Sequence, residues 1–501
     1  MKTQPKSDYV HHPANAIPEI LLETEGLISA RNIGAYLVGG AVRDSLLGRL
    51  PADYDIAVTA DASETARMLA DTVGGHFVSL HLERDTARVV IPSDTNPIGI
   101  DFTHVHEDIE TDLGRRDFTV NAIAAPLGDV VGGEWRIIDP HGGREDLDRH
   151  TIRAVAERVF NDDPARLMRG VRIGAALKFT LDSGTREMMQ RQSELIGRTA
   201  PKRVREELLK MLAEDGPRDS IRLMDDLGLL SLIFPELDDA RGVTQPKEHH
   251  HWDVFNHLVE TVGFVESILA EEDSNDLASR MLPRFDGMNE HFAAEATDGA
   301  SRGTLLRLTG LLHDIAKPAT KTVDASGRTR FFGHNDEGAR MAGEILGRLR
   351  FGRRGIRLVK TMIINHLRPM QMAAKGELPT KQAVYRYFRD VGDAALDTLY
   401  LNVADFLAAR GPDLTEERMA GVSAVISHIL NTEFRPEPAA LPGKGLIDGN
   451  DVMSEFGLDS GPVVGRVLSA VAAAEAVGQL NTREEAMTMA KDILESGGVS
   501  A

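Results

Sequence analysis

The stretch "LVGGAVRDSLLGRLPADYDIAVTA", from Leu37 to Ala60, decides how the first part of the chain folds. An apolar run is followed by a double glycine, a helical segment and a second run that contains Asp53 and Asp55. This order predicts a strand, a tight turn, a helix and a second strand. Residues i and i+2 of a strand point to the same face, so the two carboxylates can together bridge a divalent cation such as Mg²⁺. Any half-exposed strand can carry such a pair by accident, so the surrounding sequence has to decide.

Strand and helix patterns divide the chain into regions. Short apolar or alternating runs ("AYLV", "DYDIAV", "ARVVI", "IGIDF", "WRIID") and the capped segment "DASETARMLADTV" predict an α/β fold up to about residue 140. Beyond residue 151 nearly every segment is helical, and glycine and proline clusters mark breaks near residues 240 and 432. We therefore expect a disordered lead-in at 1–30, an α/β head at 31–150, an all-α neck and body at 151–240, a second all-α domain at 241–430 and a helical tail at 431–501.

Composition narrows the class of protein. The 501 residues include no cysteine, which excludes disulfides and thiolate metal sites and is typical of the reducing cytosol. No apolar run reaches the roughly 18 residues of a membrane helix, and the N-terminus lacks the apolar core of a signal peptide. A cytoplasmic protein without membrane contact is therefore expected. The net charge of −20 argues against a general nucleic-acid binder, and residues 264–300, with nine acids and two arginines, are expected to form an acidic, mobile insertion.

The double glycine and a third acidic residue add to the site around Asp53 and Asp55. Gly39 and Gly40 allow the backbone to approach a phosphate at the start of a helix, where Arg43 can neutralise it. Asp101 interrupts the apolar run "IGIDF" and is a candidate third catalytic carboxylate. Two-metal phosphoryl chemistry uses such a set to hold ions roughly 3.5–4 Å apart, one at the attacking hydroxyl and one at the triphosphate.

Four segments follow one another in a fixed order: "GGAVRDSLLGRLPADYDIAVTA", "DLGRRDFTVNAIA", "IDPHGGREDL" and "NDDPARLMRGVRIGAAL". Together they resemble the motif series of the bacterial tRNA nucleotidyltransferases and poly(A) polymerases, in the polymerase-β superfamily. The resemblance covers roughly residues 33–240 and implies an α/β nucleotidyltransferase head in which Asp53 and Asp55 bind Mg²⁺. It further implies a set of nucleotide-binding residues: Gly40, Arg43, Arg116, Asp163, Arg166, Arg169 and Arg172.

Asp163 and Arg166 also suggest how a base is chosen. Cytosine and adenine present an amino donor beside a ring-nitrogen acceptor, whereas uracil and guanine present a carbonyl beside an N–H. A carboxylate and a guanidinium held side by side would therefore accept CTP and ATP and reject UTP and GTP. We expect Asp163 and Arg166 to be neighbours on one helix, with Arg169 and Arg172 turned towards phosphates or bracing contacts.

Two features differ from the usual motif series. Asp162 stands where a glutamate is usual, directly before the base-reading aspartate. Only ten residues, "FTHVHEDIET", separate Asp101 from "DLGRRDFT", whereas many enzymes that add the full CCA triplet carry a longer flexible segment there. The shortened segment favours partial addition, of CC or of A alone.

The second all-α domain carries histidine and aspartate motifs. His257, the pair His313 and Asp314 in "LLHDIAKP", and Asp405 resemble the ligand set of the HD metal-dependent phosphohydrolases. His334 and His366 match the extra histidines of two-metal members. Imidazoles and carboxylates of this kind can hold Mg²⁺, Mn²⁺, Ni²⁺ or Fe²⁺ and activate water towards a phosphate. His249 and His250, outside these motifs, are expected to be solvated.

The leading hypothesis is a template-independent nucleotidyltransferase that adds C, A or both to tRNA 3′ ends from CTP and ATP and releases pyrophosphate. In this hypothesis the helical middle and tail hold the acceptor end of the tRNA. Alternatives of the same class are CC-only addition, A-only addition and poly(A) synthesis. In a second class, the HD domain is the main activity and hydrolyses RNA ends or cyclic phosphates. A third reading, a silent RNA-binding protein, is disfavoured because the acidic and basic residues of the head are intact.

Overall fold

The computed structural model describes residues 9–11, 18–51, 53–81, 85–92, 97–246, 250–270, 277–373, 377–432 and 445–496. The chain forms two compact units. The first comprises residues 1–207 and 223–232, and the second comprises residues 208–222 and 233–501.

The head is an α/β fold, as predicted. Its strands are β1 (Tyr9–His11), β2 (Ala35–Val38), β3 (Asp53–Val58), β4 (His76–His81), β5 (Thr86–Ile91), β6 (Ile98–His104), β7 (Ala124–Pro126) and β8 (Glu134–Arg136). Its helices are α1 (Glu19–Ser29), α2 (Gly40–Leu46), α3 (Ala62–Val73), α4 (Ile109–Leu113), α5 (Leu127–Gly132) and α6 (Gly143–Asp148). One sheet has the order β4-β5-β6-β3-β2-β7, in which β3 and β6 are parallel and all other neighbours are antiparallel.

Local sequence explains why this sheet forms. The central strand β3 buries Ile56, Ala57 and Val58 completely. Helix α3, which packs on β5 and β6, begins where the Asp61 side chain accepts a hydrogen bond from the Glu64 backbone N–H and ends at the left-handed Gly74. This cap is the signal that predicted the helix, and the left-handed glycine ends it.

The prediction of a disordered lead-in at residues 1–30 is wrong for part of that segment. Helix α1 buries Ile20, Leu21 and Ile28 and packs against α3 and α5, while β1 pairs with β8. The apolar residues of α1 recur at helical spacing, so the helix has a face to bury. The rest of the lead-in, residues 1–8 and 12–17, lies outside the described residues.

The neck and body are helical, apart from a short parallel pair of strands, β9 (Thr151–Ile152) and β10 (Thr180–Leu181). The helices are α7 (Val159–Asp162), α8 (Arg166–Leu177), α9 (Ser183–Arg191), α10 (Pro201–Ala213), α11 (Pro217–Asp226) and α12 (Leu229–Ile233).

The second domain is built around helices α13, α16, α19 and α22, which pack against one another. Its helices are α13 (Val254–Leu269), α14 (Leu277–Met281), α15 (Met288–Ala293), α16 (Arg302–Leu312), α17 (Lys317–Thr320), α18 (His334–Arg348), α19 (Arg353–Asn365), α20 (Arg368–Gln371), α21 (Lys381–Val391), α22 (Ala395–Arg410) and α23 (Glu416–Asn431). Two small hairpins join β11 (Glu295–Thr297) to β12 (Ala300–Ser301) and β13 (Lys321–Val323) to β14 (Thr329–Phe331).

The expected acidic, mobile insertion at 264–300 is largely folded, so that prediction is wrong for its described residues. Helix α13 continues to Leu269 and buries Val265 and Ile268, while Met288 and Phe292 of α15 are buried as well. Acidic residues can occupy the solvent face of an amphipathic element without loosening it, so charge alone did not indicate mobility. Residues 271–276 lie outside the described part.

The tail is helical, as predicted, with α24 (Gly449–Phe456), α25 (Pro462–Ala476) and α26 (Arg483–Ser496). These helices share a small core of Ile447, Val452, Val464, Val467, Val471, Ala486 and Ala490.

Candidate active site

A tight turn opens the site of the head. Strand β2 ends at Val38, Gly39 adopts φ 71°, and α2 begins at Gly40. A Cβ at position 39 would lie 2.8 Å from Nη1 of Arg116 and 3.3 Å from Oδ2 of Asp55. Both the left-handed backbone and this close approach require glycine.

Asp53 and Asp55 lie on the same face of β3, and Asp101 is the residue of β6 directly opposite Asp55 in the parallel register. Burial raises the pKa of Asp55; Arg116 acts against this shift, and Asp101 and Asp53 add to it. Carboxylates that crowd one another favour a cation between them, so the donor set fits a hard divalent metal. The Asp101 carboxylate, however, accepts hydrogen bonds from Arg88 at 2.6 and 2.8 Å.

A chain of hydrogen bonds supports the arginines of the pocket. Arg43 pairs with Asp44 and donates to Oδ1 of Asn121 at 2.7 Å. Asn121 donates to Asp117, whose other oxygen lies 2.8 Å from Nε of Arg169. Burial alone would raise the pKa of Asp117, but Arg169 and these hydrogen bonds lower it, so the buried carboxylate stays charged.

The expectation that Asp163 and Arg166 are neighbours on one helix is wrong. Helix α7 ends at Asp162, Asp163 is extended, and α8 begins only at Arg166. The physical reason is Pro164, because steric contact with the proline ring disfavours helical conformation at the preceding residue. The Asp163 carboxylate is held instead by Arg203 of α10, with nitrogen–oxygen distances of 2.9 and 2.7 Å.

Arg166 is held by backbone carbonyl groups. Its Nη2 donates to the carbonyl of Arg115 at 2.8 Å, and Nη1 donates to the carbonyls of Arg116 and Val159. Arg172 forms an ion pair with Glu207 at 2.7 Å. Asp163 and Arg166 therefore reach the pocket independently, each positioned by groups other than its supposed partner.

All eight predicted nucleotide-binding residues line one cavity of about 360 Å³. The cavity is lined by Gly39, Gly40, Arg43, Asp55, Arg116, Asp117, Asn121, Asp163, Arg166, Arg169, Arg172 and Ile173. Five arginines face three aspartates there, so the lining carries the positive excess that a triphosphate requires. Asp53 and Asp101 are not part of this lining.

The second domain brings together all six predicted metal ligands. One group comprises His257, His313, Asp314 and Asp405, and a second comprises Asp314, His334 and His366; within each, ligand atoms lie within 4.8 Å of one another. Among the described residues, these are the groups of at least three potential ligands that approach so closely. The chemistry of imidazole and carboxylate donors fits a divalent transition metal or Mg²⁺.

Backbone hydrogen bonds fix the orientation of three of these histidines. The Nδ1 atoms of His313, His334 and His366 lie 2.9, 2.6 and 2.7 Å from the carbonyl oxygens three residues earlier in the chain. Since a carbonyl only accepts, Nδ1 donates to it, and Nε2 faces the Asp314 carboxylate at 3.2, 3.4 and 3.8 Å in the three residues. Nε2 is thus the nitrogen left to bind a metal.

Asp314 lies at the centre of the cluster and is fully buried. Lys317 Nζ approaches one of its oxygens at 2.5 Å, yet neither oxygen accepts a well-directed hydrogen bond. Burial lowers the pKa of His366 to about 4, whereas the carboxylates of Asp314 and Asp405 overcome burial and raise the pKa of His313 to about 10.

The prediction that His250 is solvated is wrong. Burial lowers its pKa to about 3, and its ring packs edge-on against His257 with centroids 5.4 Å apart. His249 lies outside the described residues.

Sequence reasoning missed Arg88, Asp117, Asn121 and Arg203. Arg88 interrupts the apolar run "ARVVI" just as Asp101 interrupts "IGIDF", which is the same signal. Asp117 and Asn121 stand four apart in the quoted segment "DLGRRDFTVNAIA". Arg203 lies in an ordinary basic helix, and no local pattern distinguishes it.

Family models match consecutive parts of the chain. The Poly A polymerase head domain matches residues 35–153, the probable RNA and SrmB-binding site of polymerase A matches residues 178–241, and the HD domain matches residues 254–410. An A-adding tRNA nucleotidyltransferase of Deinococcus radiodurans is 35% identical over 460 residues, which are 90% of this chain and 94% of that protein. The chain belongs to the tRNA nucleotidyltransferase family. A CC-adding tRNA nucleotidyltransferase of Thermus thermophilus is 32% identical and covers 90% of this chain and 92% of its own length.

Solved structures share the fold of this tRNA nucleotidyltransferase. The CCA-adding enzyme of Thermotoga maritima in complex with tRNA is 23% identical with a TM-score of 0.59, covering 97% of this chain and 99% of that one. A CCA-adding enzyme with ATP is 22% identical with a TM-score of 0.62, covering 98% and 99%. In the described part of the chain, no helix is both long and apolar enough to cross a membrane. Its relatives at 35% and 32% identity show that the chain is an enzyme that transfers nucleotides to tRNA.

Proposed function

We propose that this enzyme adds only part of the CCA end, CC or A alone, to tRNA 3′ ends in the cytoplasm. The observation that carries the proposal is the short connection between β6 and α4. Strand β6 ends at His104 and α4 begins at Ile109, so four residues join them. Val105 is buried and Asp108 caps α4 with a hydrogen bond at 2.8 Å, which leaves no free segment to reshape the pocket between C and A.

The relatives support the same reading. The two relatives described above cover nine-tenths of this chain and are named for partial addition, whereas a Multifunctional CCA protein of Methylococcus capsulatus matches 43% of it. Addition of the full CCA triplet and synthesis of poly(A) are the alternative outcomes of the test described below.

In the proposed reaction the tRNA 3′ oxygen bonds to the α-phosphate and the bond to the β-phosphate breaks, releasing pyrophosphate. Asp53 and Asp55 would hold Mg²⁺, which supplies Lewis-acid stabilisation of the reacting phosphates. Arg43, Arg116 and Arg169 face the cavity and neutralise the triphosphate. These charges act where negative charge develops, which is the main source of catalysis in phosphoryl transfer.

Asp163 and Arg166 select the base of the incoming nucleotide. The Asp163 carboxylate accepts from the amino group of cytosine or adenine, and Arg166 donates to the neighbouring ring nitrogen. Both side chains line the cavity although they do not contact each other as a pair. A base of the wrong pattern leaves these groups without partners, which is costly in a partly buried site.

The test uses three tRNAs that end at the discriminator base, at C and at CC, each offered CTP, ATP or both. Partial addition predicts that products stop after CC, or that only the tRNA ending in CC is extended, by one A. Complete CCA on the shortest tRNA, or a long A tail, would overturn the proposal. Sizing on a sequencing gel distinguishes all of these products.

The orientation of the histidines favours a second activity in the HD domain. We propose that His257, His313, Asp314, His334, His366 and Asp405 hold Mg²⁺, Mn²⁺, Ni²⁺ or Fe²⁺ and support hydrolysis of phosphate esters at RNA ends or of cyclic phosphates. Such an ion would supply a water of lowered pKa. Hydrolysis of 2′,3′-cyclic AMP with each metal tests this: loss of the activity in His313→Ala supports it, and no hydrolysis with any of the metals contradicts it.

A further inference from the structure

Arg88, which no motif predicted, contacts two of the three carboxylates of the head, Asp101 and Asp53. It lies on β5 directly opposite Asp101 of β6 in the antiparallel register. Its Nε and Nη2 donate to the two oxygens of Asp101 at 2.6 and 2.8 Å, and Nη2 lies 3.5 Å from Oδ2 of Asp53. Hydrogen bonding to Asp101 raises the pKa of Arg88, so the guanidinium stays charged.

The guanidinium occupies both oxygens of the third carboxylate. A two-pronged pair of this kind is short, charge-assisted and geometrically specific. Each oxygen keeps a second lone pair, but the guanidinium offsets the charge of Asp101 and takes one lone pair of each oxygen, so Asp101 is a weaker metal ligand while it is paired. Asp53, in contrast, has a side chain that is 53% exposed, and Asp55 is turned into the nucleotide cavity.

We propose that Arg88 is a positioning residue that sets the affinity of the head for divalent metal by competing with the metal for Asp101. The inference rests on the proposed function, because it takes Asp53 and Asp55 as the metal-holding pair. While Asp101 is paired with Arg88, Asp53 and Asp55 would hold the metal by themselves. If Arg88 moves away, Asp101 would be free to act as a third carboxylate ligand.

Substitution by lysine separates this competition from simple charge. Arg88→Lys keeps the positive charge but removes the two-pronged geometry, so it frees one oxygen of Asp101. Arg88→Gln removes the charge as well. Arg136→Lys is the matched control, because Arg136 of β8 pairs with Asp129 of α5 and has no ion pair with the three carboxylates.

The experiment titrates each full-length variant with Mn²⁺ and follows free Mn²⁺ by electron paramagnetic resonance. Sites that are lost in Asp53→Asn/Asp55→Asn are assigned to the head, which separates them from the HD cluster. We expect Arg88→Lys to bind Mn²⁺ at the head about tenfold more tightly, and Arg88→Gln at least as tightly, since a carboxylate beside a divalent ion is gained. The gain should vanish in Arg88→Lys/Asp101→Asn, and Arg136→Lys should match the wild type.

Two results would overturn the inference. One is an Arg88→Lys variant that, with unchanged thermal unfolding, binds Mn²⁺ no more tightly than the wild type. The other is a gain that persists when Asp101 is also replaced, because the effect would then not pass through Asp101. If Asp53→Asn/Asp55→Asn instead binds Mn²⁺ like the wild type, the head metal of the proposed function is itself refuted.

Discussion

The nucleotide cavity of the head and the histidine cluster of the HD domain both gather charged side chains, but they satisfy them differently. In the head, ion pairs within the protein balance the charges: Arg43 with Asp44, Arg169 with Asp117, Arg172 with Glu207 and Asp163 with Arg203. In the HD cluster, Asp314 is fully buried and neither of its oxygens accepts a well-directed hydrogen bond.

The difference indicates how long each site keeps its ligand. A pocket that releases product in every cycle has to be stable when empty, and paired arginines and aspartates provide that stability. Lys317 offsets part of the charge of Asp314, but a buried carboxylate without well-directed hydrogen bonds is costly unless a further cation stays in place. We therefore expect exchangeable nucleotide in the head and a resident metal in the HD domain.

The largest effect should come from the head carboxylates. Asp53→Asn/Asp55→Asn should lower incorporation of labelled CTP or ATP by more than about a thousandfold, since losing about 4 kcal/mol of metal-assisted stabilisation has that effect. Asp71→Asn, at an exposed position of α3, is the control and should stay close to the wild type. Unaffected incorporation in the double variant would refute the assignment of the head.

The two ligand groups of the HD cluster can be tested separately, because they share one residue, Asp314. Asp314 belongs to both groups of ligands, whereas Asp405 belongs to one. Asp314→Asn should therefore lose both metals and Asp405→Asn only one, each with a fall in affinity of more than about 100-fold. Metal content after dialysis, measured by mass spectrometry, checks this, and equal loss in the two variants would contradict a shared Asp314.

A smaller effect is expected from Arg203, which holds the Asp163 carboxylate in place. Arg203→Ala removes both hydrogen bonds that orient Asp163, so the preference for CTP and ATP over UTP and GTP should fall about tenfold. Arg172→Ala, which frees Glu207 instead, should lower overall activity with less effect on base choice. Ratios of kcat/KM for the four nucleotides provide the measurement, and an unchanged ratio in Arg203→Ala would remove Arg203 from base selection.

The smallest effect concerns stability of the head alone. Asp61→Ala removes the cap of α3 and should lower the free energy of unfolding by about 1 kcal/mol. The chain has two tryptophans, so in a Trp252→Phe background the fluorescence of Trp135, buried in the head, reports on this region. A midpoint in urea that does not move would show that the cap contributes nothing.

Much of this arrangement follows from local sequence. Alternating apolar runs and the Asp61 cap predicted β3, β6 and α3, and the double glycine predicted the turn between β2 and α2. The HD ligands were predicted from their resemblance to a known ligand set, and His313 and Asp314 also stood out because an adjacent His-Asp pair on an apolar helix is costly unless its charges are satisfied.

What failed depended on contacts between distant residues. Pro164 broke the helix that was expected to join Asp163 to Arg166, and the partner of Asp163 proved to be Arg203, forty residues later. His250 is partly buried and packs against His257 of α13, and no local pattern shows that. The sequence predicted which residues gather at the nucleotide cavity and in the histidine cluster, but not which residues hold them in place.

The central claim is that the head and the HD domain are two separate active sites. The most direct test measures nucleotide incorporation into tRNA and hydrolysis of 2′,3′-cyclic AMP in the same two preparations, Asp53→Asn/Asp55→Asn and Asp314→Asn. The account predicts that the first variant loses incorporation and keeps hydrolysis, and that the second does the reverse. Loss of both activities in either variant, with folding intact, would contradict it.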